Sequence, residues 1–281
     1  MTVPLLLALA SSIAYGAADF LGGVAARGAH VVRVVAIAAP ASLLVEMLLW
    51  PLAGARFDTG AVTWGAASGV ASAAAFALLY RTLAIGPMSV LSPVTALVSA
   101  ALPVAVGLAG GERLSAIAAG GMTLALVAVV LVSGGTDGRE RGRSASRGAL
   151  ALAFAAGAAI ALQLVCLDQA PDDSGVAPLL VGRAVSWAVI LGAALLLRGR
   201  LGEARPNLPA SAAAGALDAL ANFAFLFAVR DGDLAVVAVI TALYPAATVL
   251  LARVLLAERI GPMQLAGLGI AAVAVSLLAV G

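Results

Sequence analysis

The chain has 281 residues, 63% of them hydrophobic and 11% charged, with a formal charge of +2 and a mean hydropathy of +1.11. Soluble domains carry roughly 25% charged residues, so this set is too sparse to cover a water-facing surface, and lipid is the expected solvent. The 16 basic residues are all Arg, which a high-GC coding bias explains, and they are scattered over loops, which excludes a dedicated nucleic-acid partner.

Apolar runs long enough to cross a bilayer, about 20 residues each, recur from end to end. Inside lipid every backbone polar group must be satisfied within its own structure, so the options are helices or a closed barrel. The runs are continuous rather than alternating, which selects an all-α integral membrane protein.

The first run, 3–26, lacks the basic start of a signal peptide and carries Tyr15 and Asp19, so it reads as a helix of the mature chain. Ser12, Tyr15 and Asp19 fall at i, i+3 and i+7, on one helical face beside Gly16 and Gly23. Asp19 has two readings of equal weight: a proton-coupling carboxylate or ligand for a substrate amine, or a structural partner of an arginine such as Arg81. The next run, 31–53, holds Glu46, read as close enough to a helix end to snorkel, like Arg253 further on. In 61–83, Trp64, Ser68 and Ser72 line one face, and Gly65-x-x-x-Gly69 permits close helix approach.

The run 88–109 carries Pro93 and Pro103. A helix-interior proline frees the carbonyl four residues earlier, here Ser89 and Ser99, and bends the helix. Ser92 and Thr95 sit beside these kinks as polar groups at mid-membrane depth. Glu112-Arg113 forms the turn into 114–133, where Gly120-Gly121 signals packing, and an Arg-rich linker, 135–147, follows.

Five more runs lie at 148–169, 176–197, 209–229, 234–256 and 262–280. Cys166 can form no intrachain disulfide and reads as a small buried hydrophobe. In 209–229, Ser211, Gly215, Asp218 and Asn222 share a face, with Asp218 the deepest charge of the chain. A buried charge costs from about 2.5 kcal/mol, against about 0.6 kcal/mol for an interhelical hydrogen bond, so this face is expected to line a cavity. In 234–256, Pro245 frees the Thr241 carbonyl near Tyr244 and Thr248; kinks at matching places in two repeats point to a transport site, although kinking for packing alone stays open. Gly267-x-Gly269 marks packing in the last run.

The halves repeat. A shift of 146 positions lays Glu112-Arg113 on Glu258-Arg259, Thr95-Ala96-Leu97 on Thr241-Ala242-Leu243, and Gly86, Val90 and Gly121 on identical residues. Five helices per unit is odd, so the second copy, 148–281, enters the membrane inverted relative to the first, 1–134. Loops after odd-numbered helices hold eleven arginines, with Arg253 close by as a twelfth, and those after even-numbered helices four, which predicts a cytoplasmic linker and outside termini in the cell (inner) membrane.

Between Tyr80 and Gly134, and again from Phe225 onward, the mid-helix proline, the turns GGER at Gly110–Arg113 and LAER at Leu256–Arg259, and the glycine in the following helix resemble the EamA domain of the drug/metabolite transporter superfamily. Arg33 and Arg183 resemble arginines often found at those places. The resemblance implies ten helices, a cavity between the repeats, and small metabolites such as amino acids, nucleobase-like compounds or sugars as cargo. The prolines depart from strict symmetry: Pro93 and Pro103 face Val239 and Val249, and Pro245 faces Ser99.

One histidine, His30, one cysteine and no metal-spaced cluster argue against an enzyme, a metal site or a cofactor, and no phosphate-binding glycine loop is present to drive transport with ATP. The expected function is a secondary transporter, an exporter of small metabolites such as amino acids, working by alternating access as a monomer or homodimer and coupled to a substrate gradient or to protons through Asp19 or Asp218. The other reading is a membrane scaffold or channel-like protein without coupled transport.

Overall fold

In the computed structural model, the structure describes residues 2–26, 28–85, 88–133, 146–197, 201–202, 204–256 and 261–280. Among them are eleven α-helices, one 3₁₀ turn (Asp172–Ser174) and no strand beyond an isolated bridge. The helices are α1 Thr2–Ala26, α2 Val31–Ala53, α3 Thr59–Ile85, α4 Met88–Ala109, α5 Ala116–Ser133, α6 Arg147–Asp168, α7 Ala177–Leu196, α8 Leu208–Asp231, α9 Leu234–Thr241, α10 Tyr244–Leu256 and α11 Pro262–Val280. Most of the linker 135–147, the Glu258-Arg259 pair and the side chains of Ser92 and Pro93 lie outside the described residues.

Starts and stops follow capping chemistry. The N–H groups of Ala61, Ala118, Ala149 and Ala210 donate to Asp58, Ser115, Ser146 and Asn207 side chains at 2.8–3.1 Å, which satisfies amides that a helix start leaves without partners. Gly54, at φ +68°, ends α2 in a conformation that only glycine adopts cheaply.

The expected run 234–256 is two helices. Pro245 has no N–H for the Thr241 carbonyl, and its ring crowds the preceding turn. α9 therefore closes with a tight bond from Leu243 N–H to the Ile240 carbonyl (3.1 Å), and α10 restarts one residue later. The restart is docked on α1: Thr248 Oγ1 donates to the carbonyls of Gly16 (3.0 Å) and Tyr244 (3.2 Å). In contrast, α4 runs on through Pro93 and Pro103 as one helix, because a proline can bend a helix without ending it.

Seven helices among the described residues are long and apolar enough to cross a membrane, and Val94–Ala109, Ala116–Val132 and Leu234–Thr248 are shorter apolar helices. Large apolar side chains point outward, among them Leu52, Leu196 and Val254 at 82%, 88% and 75% exposure. Such a surface is stable against lipid and not against water.

The packing partners are reciprocal. α1 packs on α8, as α6 packs on α3; α2 packs on α8, as α7 packs on α3; α5 and α11 pack on each other. Glycines permit the close approaches. A Cβ on Gly215 (α8) would sit 2.6 Å from the Ala38 carbonyl carbon (α2), and one on Gly69 (α3) would sit 2.9 Å from the Gly182 carbonyl carbon (α7). Gly121 likewise faces the Ala274 carbonyl of α11, and Gly267 faces the Val132 amide of α5.

One face of the bundle is tied together by its loops. Arg56 N–H donates to the Ser174 carbonyl (3.0 Å), Val176 N–H donates to Gly54 (2.9 Å), and Arg56 pairs with Asp173. Arg230, at the end of α8, donates to the Gly175 carbonyl (2.7 Å) and Ser174 Oγ (3.1 Å). The carboxylate of Glu112, between α4 and α5, accepts from the N–H groups of Leu234 (2.7 Å) and Ala235 (3.0 Å), capping α9 from another part of the chain.

Candidate functional site

Four helices deliver charge to the interior. Arg183 of α7 is 4% exposed, and its guanidinium is used in three directions: Nε donates to Glu46 Oε1 of α2 (3.1 Å), Nη1 donates to Ser72 Oγ of α3 (3.2 Å), and Nη2 forms a charge pair with Asp218 of α8. The Phe76 ring lies 5.9 Å from its centre, within cation–π range. Glu46 is fully buried, which corrects the snorkelling expectation: it stands two turns before the end of α2, too deep to reach the interface.

Beside this cluster lies a partly open cavity. Its polar lining is Tyr15 and Asp19 from α1, Ser99 from α4, Gln163 from α6, Asp218 from α8, and Thr241 and Tyr244 at the α9–α10 break. The remainder is apolar, with Phe76, Leu79, Ile160 and Leu164 the larger groups. Asp19 is half-buried and has no hydrogen bond or ion pair among the described residues. The hydroxyls of Tyr15, Thr241 and Tyr244 are also buried without a partner. Unpaired polar groups at such depth are costly in protein or lipid, and a bound solute would relieve that cost.

Of the residues singled out in the sequence, Tyr15, Asp19, Asp218, Thr241 and Tyr244 therefore come together around one space. The others stand elsewhere. Ser72 holds Arg183 from α3. Asn222 accepts from Gln163 Nε2 and donates to the Asp218 carbonyl, both at 2.8 Å, fixing the amide that faces the cavity. Thr95 donates to the Leu91 (3.0 Å) and Ala153 (3.2 Å) carbonyls and ties α4 to α6. Ser12 and Ser68 are buried outside the lining, and Trp64 is 38% exposed.

Sequence reasoning gave no role to Glu46, Gln163 or Phe76, and singled out Ser99 only for its carbonyl. The signal for Glu46 was present, because an acid inside an apolar helix needs a partner, and Arg183 was the basic residue nearest the middle of its own helix.

Apolar helices long enough to cross a bilayer, packed around a partly polar cavity, are those of a multi-pass membrane protein. Residues 147–280 match the EamA-like transporter family, a family of transporters and not of enzymes. A solved structure, described only as the crystal structure of a protein, superposes on 100% of this chain and 97% of its own with a TM-score of 0.78 at 15% identity, which establishes a shared fold. Comparison with curated proteins returned no match.

Proposed function

We propose that this chain is a secondary transporter of small metabolites, an exporter working by alternating access, with two inverted five-helix halves, 1–134 and 148–281, around the central cavity. The observation that carries the proposal is the cavity itself: an unpartnered carboxylate, Asp19, and three unpartnered hydroxyls meet where a helix is broken. Broken helices at mid-depth are where transporters of this plan hold solutes. A scaffold without transport has no use for an open space lined by an unpaired acid.

Reciprocal packing supports the inverted halves. Gly69 and Gly215, which stand 146 positions apart like the repeat, each press on a carbonyl of the opposite half. The loop-tied face is the outer one in this reading, because the arginine excess lies on the other side with the linker. Both termini are then outside, in the cell membrane, and a monomer suffices because one chain lines the whole cavity.

Uptake and efflux of metabolites in proteoliposomes, with and without a proton gradient, test the proposal. Wild type is expected to move a solute that Asp19→Asn no longer moves, or moves without proton dependence. Undiminished transport with Asp19→Asn and also with Asp218→Asn would remove the cavity from the mechanism.

A further inference from the structure

Each of the three nitrogens of Arg183 has a protein partner, Glu46, Ser72 and Asp218. Arg183 stands behind the lining, and no Arg, Lys or His lines the cavity among the described residues. A solute carboxylate or phosphate entering the cavity therefore finds no free cation. It finds two acids instead, Asp218 and Asp19, and only the first of them is neutralised.

The charge count points the same way. Glu46, Asp218 and Asp19 bring three carboxylates, and Arg183 brings one guanidinium. Glu46 and Asp218 divide that guanidinium, and Asp19 is left facing the open space without a counter-ion among the described residues.

The hydroxyls are an independent second observation. Thr241 and Tyr244, 3% and 7% exposed, line the same space, and their hydroxyls have no partner among the described residues. Their oxygens can accept, as can Asp19, and an ammonium group offers three donors and accepts nothing. Phe76 and Leu79 line the same space and add an aromatic and an aliphatic surface for whatever the ammonium carries.

We propose that the cavity selects organic monocations: amines whose ammonium group is held by Asp19 and whose apolar or aromatic body rests on the Phe76 side, with zwitterions and acids rejected. This rests on the transport reading above and narrows its cargo from small metabolites to amines without a carboxylate. The rejection is electrostatic, since a zwitterion that places its ammonium at Asp19 must also bury a carboxylate in a weakly screened site that offers it no cation.

The test uses three probes that share a phenyl ring and differ in charge: 2-phenylethylamine, phenylalanine and phenylacetate. Their equilibrium binding to purified full-length protein is measured at pH 7, together with the melting temperature of each variant. The amine is expected to bind at least about tenfold more tightly than either other probe, a difference of about 1.4 kcal/mol. Asp19→Asn is expected to remove that advantage at an unchanged melting temperature, and Asp19→Glu to restore most of it. Equal binding of phenylalanine or phenylacetate to wild type, or amine binding that survives Asp19→Asn, would overturn the inference. Transport of phenylalanine, or binding of none of the three probes, would end this inference while leaving the carrier reading to the wider metabolite screen, and absence of any flux in that screen would end both.

Discussion

The Nε of Arg183 donates to Oε1 of Glu46 across 3.1 Å, joining α7 to α2 between residues 137 positions apart, and both side chains are buried. Removing one member of a buried pair leaves an uncompensated charge and costs about 3–5 kcal/mol. Arg183→Met strands two acids at once, Glu46 and Asp218, so it is expected to lose at least that much. Glu46→Gln leaves Arg183 its pair with Asp218 and is expected to cost less. Melting curves of the purified variants check the order, and equal losses would contradict it.

Glu112 caps α9 through two backbone N–H bonds. Losing a helix cap costs about 0.5–2 kcal/mol, and the carboxylate also complements the positive end of the helix dipole. Glu112→Ala is expected to lower stability by that amount, whereas exposed Arg113→Ala should change it by less than about 0.5 kcal/mol. Thermal denaturation distinguishes the two, and a larger effect at Arg113 would contradict the capping role.

The glycines divide by what a methyl group would meet. At Gly215 it meets the Ala38 backbone, and at Gly23 and Gly192 it meets nothing within 4 Å. Gly215→Ala is therefore expected to destabilise by about 1–3 kcal/mol, the usual cost of overpacking. Gly23→Ala and Gly192→Ala should be neutral or slightly stabilising, since alanine is the better helix former by up to about 1 kcal/mol. Size-exclusion monodispersity after heating ranks the three.

Much of this was legible in the chain before the fold. An aspartate in an apolar run announces itself, and so does a proline in the middle of a span, which is why Asp19, Asp218, Thr241 and Tyr244 were visible. Partners were harder to see, because Arg183 and Glu46 belong to different halves and no local pattern relates them. Faces were harder still. Trp64 shares a stripe with Ser72, yet it is 38% exposed two turns away, because the neighbours of α3 change along its length. The break in α9–α10 depended on one proline together with the docking of Thr248 on Gly16, and sequence gives only the first.

The loop tie between Arg56 and Asp173 is exposed on both sides, at 70% and 61%, so the ion pair itself should contribute under about 1 kcal/mol. The backbone bridge between Ala55 and Gly175 beside it holds the two loops close enough to try a clamp. In a Cys166→Ala background, Arg56→Cys with Asp173→Cys is expected to cross-link on oxidation and to hold that face shut until the bond is reduced. Cross-linking without loss of transport would mean that this face does not open.

The most direct test of a cavity reached in turn from both sides adds Ser99→Cys, a lining position 3% exposed, to the Cys166→Ala background, both with the clamp and without it. A charged, membrane-impermeant thiol reagent is applied to either face of sealed vesicles. Alternating access predicts labelling from both faces in the unclamped protein, and loss of labelling from the clamped face alone after oxidation. Labelling from one face only in the unclamped protein, or from both faces in the clamped one, would contradict it.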